Sequence, residues 1–280
     1  MKKLFTFLAF MSISCALMAQ TVVFSDNFDS YTVGSHLAQT ATGTAWTTWN
    51  HLPGGTEDGV ISSTYAASAP NSLYITGAND VIYPFSNQTS GNYTLDFDYY
   101  IPSTGNGAYF NIQHYYSPGI QWSFECYMTN AGTGYVHIGG TNHNFTYPQN
   151  TWFHISNAIN LDNDSITITI NNNVVGTWPF HYTGDNTNGL CQLGSIDFYA
   201  GAPNNAIGTY YVDNFTFTEV SAAAVGEMSV NPDSLLNATI SYQTGGASNI
   251  ALVNTGSAAL DYRVVPTYTV DSLLPIKNIL

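Results

Sequence analysis

The chain has 280 residues, of which only 8% are charged, and its 18 Asp and Glu stand against four Lys and Arg. Two of those cations, Lys2 and Lys3, lie at the extreme N-terminus, so Arg263 and Lys277 are the only ones in the body of the chain. Such a chain has almost nothing with which to release the counterions of a phosphate backbone or an acidic membrane surface, which excludes nucleic acid and anionic lipid as partners.

The first segment, Met1-Lys2-Lys3 followed by an apolar run from Leu4 to Ala16 and then Leu17-Met18-Ala19-Gln20, has the positive, apolar and small-residue regions of a secretory leader. Residues 1–19 are expected to be removed, which makes the mature protein secreted. The apolar run is shorter than the roughly 20 residues of a membrane span, and no later segment qualifies, so no membrane insertion is expected. In an oxidising compartment the remaining Cys126 and Cys191 either form one disulfide or stay as two small buried hydrophobes.

From residue 20 onward no apolar period of 3.6 residues is sustained, and short alternating runs separated by Gly, Pro, Asn and Ser predict an all-β fold. Val22-Val23-Phe24 reads as a first strand. A long irregular stretch from Tyr31 to Ser63 carries Trp46 and Trp49, and Ser72–Ile75 and Val81–Tyr83 are short strands around a Gly77–Asp80 turn. The clearest strand is 93–100, with Tyr93, Leu95, Phe97 and Tyr99 on one face and Thr94, Asp96 and Asp98 on the other. Strands at 109–116, 121–128, 135–138 and 151–155 follow. Ser165–Ile170 then turns through Asn171-Asn172-Asn173, read as a three-residue hairpin loop, into Val174-Val175. Runs at 194–199 and 210–217 complete about a dozen strands, enough for two packed sheets of a jelly-roll sandwich. The small-residue run from Ser221 reads as a linker (221–226). Residues 227–280 hold too few strands to close an immunoglobulin-like sandwich, so this tail is an incomplete second domain or the start of something longer.

Asn150-Thr151-Trp152-Phe153-His154-Ile155, the hairpin at 165–176 and the closing Tyr211-Val212-Asp213-Asn214-Phe215-Thr216-Phe217 resemble the late strands of concanavalin A-like lectin/glucanase (LamG-like) sandwiches. The resemblance covers about residues 22–220 and implies a two-sheet concanavalin A-like jelly roll over a domain of residues 20–220. The opening Phe24–Tyr31 with Trp46-Thr47-Thr48-Trp49 resembles modules exported by Gram-negative bacteria through type IX secretion. Leu252–Tyr262 resembles the immunoglobulin-like spacers that follow such modules. No sorting domain follows the spacer, which implies a truncated chain or export that stops earlier.

Glucanases of the resembled family carry a Glu-x-Asp-x-x-Glu strand, and none of the four glutamates here (Glu57, Glu125, Glu219, Glu227) begins one. Asp96 and Asp98 share a strand face and are the available substitute pair, or else part of a solvated surface. No His-Glu-x-x-His or Gly-x-Ser-x-Gly motif is present to mark zinc or serine chemistry. Binding has more residues behind it. Alternation aligns Tyr109, Asn111, Gln113 and Tyr115, then Gln121, Ser123, Glu125 and Tyr127, then Tyr135 and His137. If the three strands are neighbours, Asn111, Gln113, Glu125, Tyr127, Tyr135 and His137 form a ligand-binding platform for a neutral glycan, and Trp46 and Trp49 either rim it or plug the core. Asp26, Asp29 and Asp213, on first and last strands that are commonly adjacent in such sandwiches, form a candidate structural Ca2+ site, or Asp213 only caps backbone amides. The expectation is a secreted, non-catalytic carbohydrate-binding or adhesion module, with a polysaccharide hydrolase or lyase, or a structural module of a larger secreted protein, as the alternatives.

Overall fold

The computed structural model describes residues 18–222, 228–231 and 251–254. The expected leader and most of the expected 227–280 domain lie outside the described residues.

The main unit, residues 18–221, is all-β. Its strands in chain order are β1 (Met18–Asp26), β2 (Thr47–Thr48), β3 (Val60–Ser62), β4 (Ser72–Ile75), β5 (Asp80–Gln88), β6 (Asn92–Tyr100), β7 (Gly107–Gln113), β8 (Trp122–Thr129), β9 (Thr133–Ile138), β10 (Thr141–Thr146), β11 (Phe153–Asn160), β12 (Ser165–Ile170), β13 (Asn173–Trp178), β14 (Leu193–Tyr199), β15 (Gly201–Ala202), β16 (Ala206–Ile207) and β17 (Tyr210–Ala222), with one helical turn, α1 (Leu37–Thr40). One antiparallel sheet has the order β13-β12-β11-β6-β17-β4-β3, with β1 also on β17; the other has the order β10-β9-β8-β7-β14-β5-β2. Because the chain crosses between sheets at β5→β6→β7, β10→β11 and β13→β14→β17, this is a two-sheet jelly roll. Outside it, β18 (Met228–Asn231) pairs with β19 (Ala251–Asn254) as a separate antiparallel ladder.

Alternation decides which side chains fill the space between the sheets. On the first sheet these are Leu95, Phe97 and Tyr99 of β6, Ile155 and Ile159 of β11, Ile166, Ile168 and Ile170 of β12, and Val212, Phe215 and Phe217 of β17. On the second they are Val81, Tyr83 and Phe85 of β5, Phe110 and Ile112 of β7, Phe124, Cys126 and Met128 of β8, and Ile196 and Phe198 of β14. The aromatic rings meet across the gap: Phe97 lies edge-on to Phe110 (5.2 Å) and to Phe198 (5.3 Å). Trp46 plugs one end of this core at 4% exposure, its indole N–H donating to Asp26 Oδ2 at 3.0 Å.

Two details differ from the sequence reading. The β12–β13 turn holds two residues rather than three, because Ile170 pairs with Asn173 and both Asn171 and Asn172 take positive φ, as a mirror-image turn requires. β10, which the sequence reading left out, is an edge strand with no buried side chain, so it carries no apolar alternation to announce it. It forms through a Gly139-Gly140 turn whose residues both take positive φ, and this places Asn142 opposite His137.

Candidate functional site

Backbone register assembles the site. Asp197 of β14 lies opposite Asn111 of β7, Asn111 opposite Glu125 of β8, Glu125 opposite His137 of β9, and His137 opposite Asn142 of β10. Directly opposed residues of antiparallel strands share a face, so one polar row crosses five strands. In the neighbouring row Tyr109 lies opposite Tyr127, and Tyr127 opposite Tyr135. Both rows face away from the core. Tyr109 and Tyr127 meet edge-on at 4.7 Å, and Tyr127 stacks on Tyr135 at 5.1 Å.

Hydrogen bonds tie the rows together. The hydroxyls of Tyr109 and Tyr127 both donate to Glu125 Oε1, at 3.0 and 2.8 Å. Asn111 Nδ2 donates to Asp197 Oδ2 at 2.7 Å and to the Tyr109 hydroxyl at 3.1 Å, which commits the amide nitrogen and turns Oδ1 the other way. Burial, reinforced by the Glu125 charge, pushes the phenol pKa values of Tyr109 and Tyr127 up, so both remain O–H donors. Below this layer the buried Tyr210 hydroxyl reaches the carbonyls of Tyr109 and Tyr199, each at 2.8 Å, and ties β7 and β14 to the opposite sheet.

These residues line a cavity of about 430 Å³ with Asp80, Asp197, Trp49, Trp122, Tyr199 and the β15–β16 loop. Trp49 and Trp122 are stacked at 6.2 Å and form an aromatic wall. Among the buried oxygens of the lining residues, Asn111 Oδ1 has no donor, while the Asp80 and Asp197 carboxyls hydrogen-bond to each other. Asp197 is 2% exposed and Asn111 fully buried. The described residues include no Lys or Arg, so no fixed cation can neutralise the Asp80–Asp197 pair. Two adjacent buried carboxyls then share a proton. Burial and the neighbouring Asp80 charge push Asp197 well above the usual carboxylate range, and burial raises Asp80 to about 6 even though Asp197 hydrogen-bonds to it.

The sequence reading brought β7, β8 and β9 together as neighbours, and the structure places Asn111, Glu125 and Tyr127 on one cavity. The other platform residues fall elsewhere. A bulge between Ile112 and Gln113 sets Gln113 opposite Trp122. Gln113 is buried outside the cavity, with Oε1 accepting from Gly119 N at 2.7 Å. The same bulge puts Trp122 on the cavity wall, a role that strict alternation hides. Tyr135 borders a shallow depression with Phe145. His137, the fourth member of the polar row, contacts Asn142 Oδ1 (2.6 Å) and Asp185 Oδ1 (3.3 Å) and lies outside the cavity. Asp80, Asp197 and Tyr199 were missed, although alternation along 195–199 places Ser195, Asp197 and Tyr199 on one face.

Three alternatives that the sequence leaves open are distinguished by the contacts of the residues concerned. Cys126 and Cys191 are unbridged: Cys126 is buried in the core, whereas the partly exposed Cys191 points its thiol at the Leu161 carbonyl. The three aspartates of the expected Ca2+ site do not converge, although β1 does pair with β17. Asp26 accepts from Phe28 N, the Tyr31 hydroxyl and the Trp46 indole, Asp29 from Asn71 N, and Asp213 from Ala67 N and Ser68 N. Among the described residues no three His, Cys, Asp or Glu side chains are gathered for a metal. Finally, Asp96 and Asp98 sit on the outer face of the other sheet, where they hold His154 at 3.4 and 2.9 Å and raise its pKa to about 9. They cannot act together with Glu125, because the whole core lies between the two faces.

No protein-family model matches the sequence, and no curated protein does. Solved structures that superpose on the chain include a sialidase (TM-score 0.43, 12% identity, 68% of this chain and 18% of that one). The alginate lyase Aly36B in complex with alginate trisaccharide superposes with a TM-score of 0.45 and 16% identity over 71% of this chain and 97% of that one. The carbohydrate-binding module CBM66 from Bacillus subtilis does so with a TM-score of 0.39 and 12% identity over 62% of this chain and 95% of that one. This chain thus spans under a fifth of the sialidase's length. Among the described residues no helix is long and apolar enough to cross a membrane.

Proposed function

We propose that the protein is a secreted glycan-binding module whose ligand, a polyhydroxylated sugar chain without anionic groups, lies along the sheet of β7 and β8 in the Trp49–Trp122 cavity. The observation that carries this reading is the polar row of Asp197, Asn111 and Glu125 with Tyr109 and Tyr127, lining a cavity that has a stacked tryptophan wall. The carboxylate of Glu125 and the tyrosine hydroxyls of this row are groups that hydrogen-bond sugar hydroxyls. Aromatic faces suit the apolar face of a sugar ring, and an all-acid lining without Lys or Arg opposes uronate or sulfate groups. The leader over residues 1–19 supplies the route out of the cell.

Glu125 is the residue on which the polar rows converge, so its charge should matter most among the exposed acceptors. Glu125→Gln is expected to weaken binding of neutral oligosaccharides about tenfold, since hydrogen bonds to a charged acceptor are worth about 1.5–3 kcal/mol. Calorimetric titration of the purified protein with a panel of neutral oligosaccharides measures this, and unchanged affinity would move the site off this sheet.

A hydrolase is the second reading, favoured by one observation: a carboxyl that keeps its proton (Asp197) and a second acid (Glu125) line the same cavity. Product release from a bound oligosaccharide, abolished by Asp197→Asn, would establish it.

A further inference from the structure

The Trp49–Trp122 cavity has a neighbour. A second cavity of about 230 Å³ shares Trp122 and Glu125 with it and is otherwise built from different residues, Ile120, Gln121 and the loop 183–186 between β13 and β14. The Glu125 carboxylate stands between the two. Its Oε1 accepts from Tyr109 and Tyr127, which line the first cavity. Its Oε2 faces Gly184 of the second, where a Cβ would come within 3.2 Å of it and within 3.3 Å of the His137 ring. Glycine at this position lets the loop backbone lie against the carboxylate without crowding it.

Backbone hydrogen bonds fix the wall of the second cavity. Gly139 N donates to the Thr183 carbonyl and Gly140 N to that of Gly184, each at 2.7 Å, and Gly184 N reaches the Trp122 carbonyl at 3.4 Å. The loop is thus tied both to the β9–β10 turn and to the start of β8. Asn186 N donates to Thr183 Oγ1 at 3.0 Å, and further along Leu190 N donates to Gln121 Oε1 at 2.9 Å. A wall already ordered in this way spares a ligand the entropy of ordering it. Asn186 Oδ1 accepts from Asn188 N at 2.9 Å, which leaves its amide nitrogen to donate to a ligand, while the exposed Asp185 carboxylate can accept. Ile120, also exposed, adds an apolar edge.

Resting on the glycan-binding reading, we propose that the two cavities are successive subsites of one groove, and that the preferred ligand is an oligosaccharide chain that passes the Trp122–Glu125 pair. The first cavity takes one stretch of the chain against the tryptophan wall. The sugar beyond the pair meets Ile120, Asp185 and Asn186. At the junction a sugar hydroxyl donates to Glu125 Oε2, the carboxylate oxygen that neither tyrosine uses. Chain length then sets affinity, because a fragment short enough to sit in the first cavity forgoes the second.

The test is calorimetric titration of the purified protein with cello-, laminari-, malto- and manno-oligosaccharides, each series running from the disaccharide to the hexasaccharide. Within a series that binds, affinity is expected to rise at least about tenfold with length and then level off, the gain of one or two added hydrogen bonds and an apolar contact. Asn186→Ala should weaken binding of the hexasaccharide about fivefold and leave the shortest fragment that binds unchanged. Ile120→Ala, which removes no hydrogen bond of the loop, should show the same dependence on length and so separates a lost contact from a loosened wall. Affinity independent of length, or a rise with length that both variants leave intact, would overturn the inference and leave the glycan-binding reading standing. Equal weakening of the shortest and longest fragments by both variants would do the same. Failure of every oligosaccharide to bind, at every length, would overturn both.

Discussion

Trp122→Ala should lower glycan affinity about 30-fold while leaving the melting temperature within a few degrees of the parent, since stacked tryptophans at binding sites are typically worth about 2 kcal/mol or more when truncated. The two effects separate because of where the ring sits. Trp122 is only half-buried; its backbone begins β8 opposite Gln113, and its indole stacks on Trp49 along the cavity rather than between the sheets. Trp46 provides the contrast. It is almost fully buried against Tyr83, Phe198 and Phe215, so its truncation would act through the core. Calorimetric titration and thermal unfolding of Trp122→Ala, run side by side, check the claim. A large drop in melting temperature together with the loss of affinity would show that Trp122 serves packing instead.

Asp197→Asn should make the protein more stable at neutral and alkaline pH, by about 1–3 kcal/mol, although it alters a buried residue that is hydrogen-bonded on both sides. Asparagine keeps both contacts: its carbonyl can accept from Asn111 Nδ2, and its amide can donate to Asp80. What it removes is a carboxyl that burial and Asp80 hold protonated. The folded-state pKa of each aspartate lies above its unfolded value of about 3.9. The stability tied to the pair is thus fully present below about pH 4 and is lost as pH rises, through about 6 for Asp80 and further for Asp197. The parent's melting temperature should accordingly fall between pH 4 and pH 8. In the variant this decline should be shallower, with the two proteins converging at pH 4 and the variant ahead by about 5 °C at pH 8. A variant less stable than the parent at every pH would show that the Asp197 carboxyl stabilises the fold. The expected direction matches the common finding that binding sites hold strain which the rest of the fold tolerates.

How much of this was legible in the sequence follows from which interactions are local. Alternation along 93–100, 109–113 and 123–128 states which side chains enter the core and which face outward. The meander β7-β8-β9 joins strands that are neighbours in sequence, so Asn111, Glu125 and Tyr127 could be placed on one surface. Asp80 and Asp197 come from β5 and β14, whose pairings with each other and with β7 span 80 or more residues and leave no mark on local periodicity. The extra residue that β8 carries between the partners of Ile112 and Gln113 brings Trp122 to the cavity, and a one-residue irregularity of this kind is invisible to a period-two reading. Adjacency of the first and last strands was foreseen, yet the aspartates there serve as acceptors for Phe28, Tyr31, Trp46, Ala67 and Ser68. Carboxylates capping amides and carboxylates ligating Ca2+ have the same sequence signature.

The opposite face of the sandwich supplies a rival surface that makes the central claim testable. There Tyr65 stacks on Tyr100 at 4.2 Å, Tyr74 stacks on Tyr211 at 4.7 Å, and Trp152 lies 5.6 Å from Tyr100. The most direct measurement is a tryptophan fluorescence titration with the oligosaccharide that binds most tightly, in the parent and in single Trp→Phe variants at positions 49, 122 and 152. If the ligand lies in the Trp49–Trp122 cavity, Trp49→Phe and Trp122→Phe remove most of the spectral change and Trp152→Phe retains it. A change that disappears with Trp152→Phe and survives the other two would place the ligand on the tyrosine face and contradict the account.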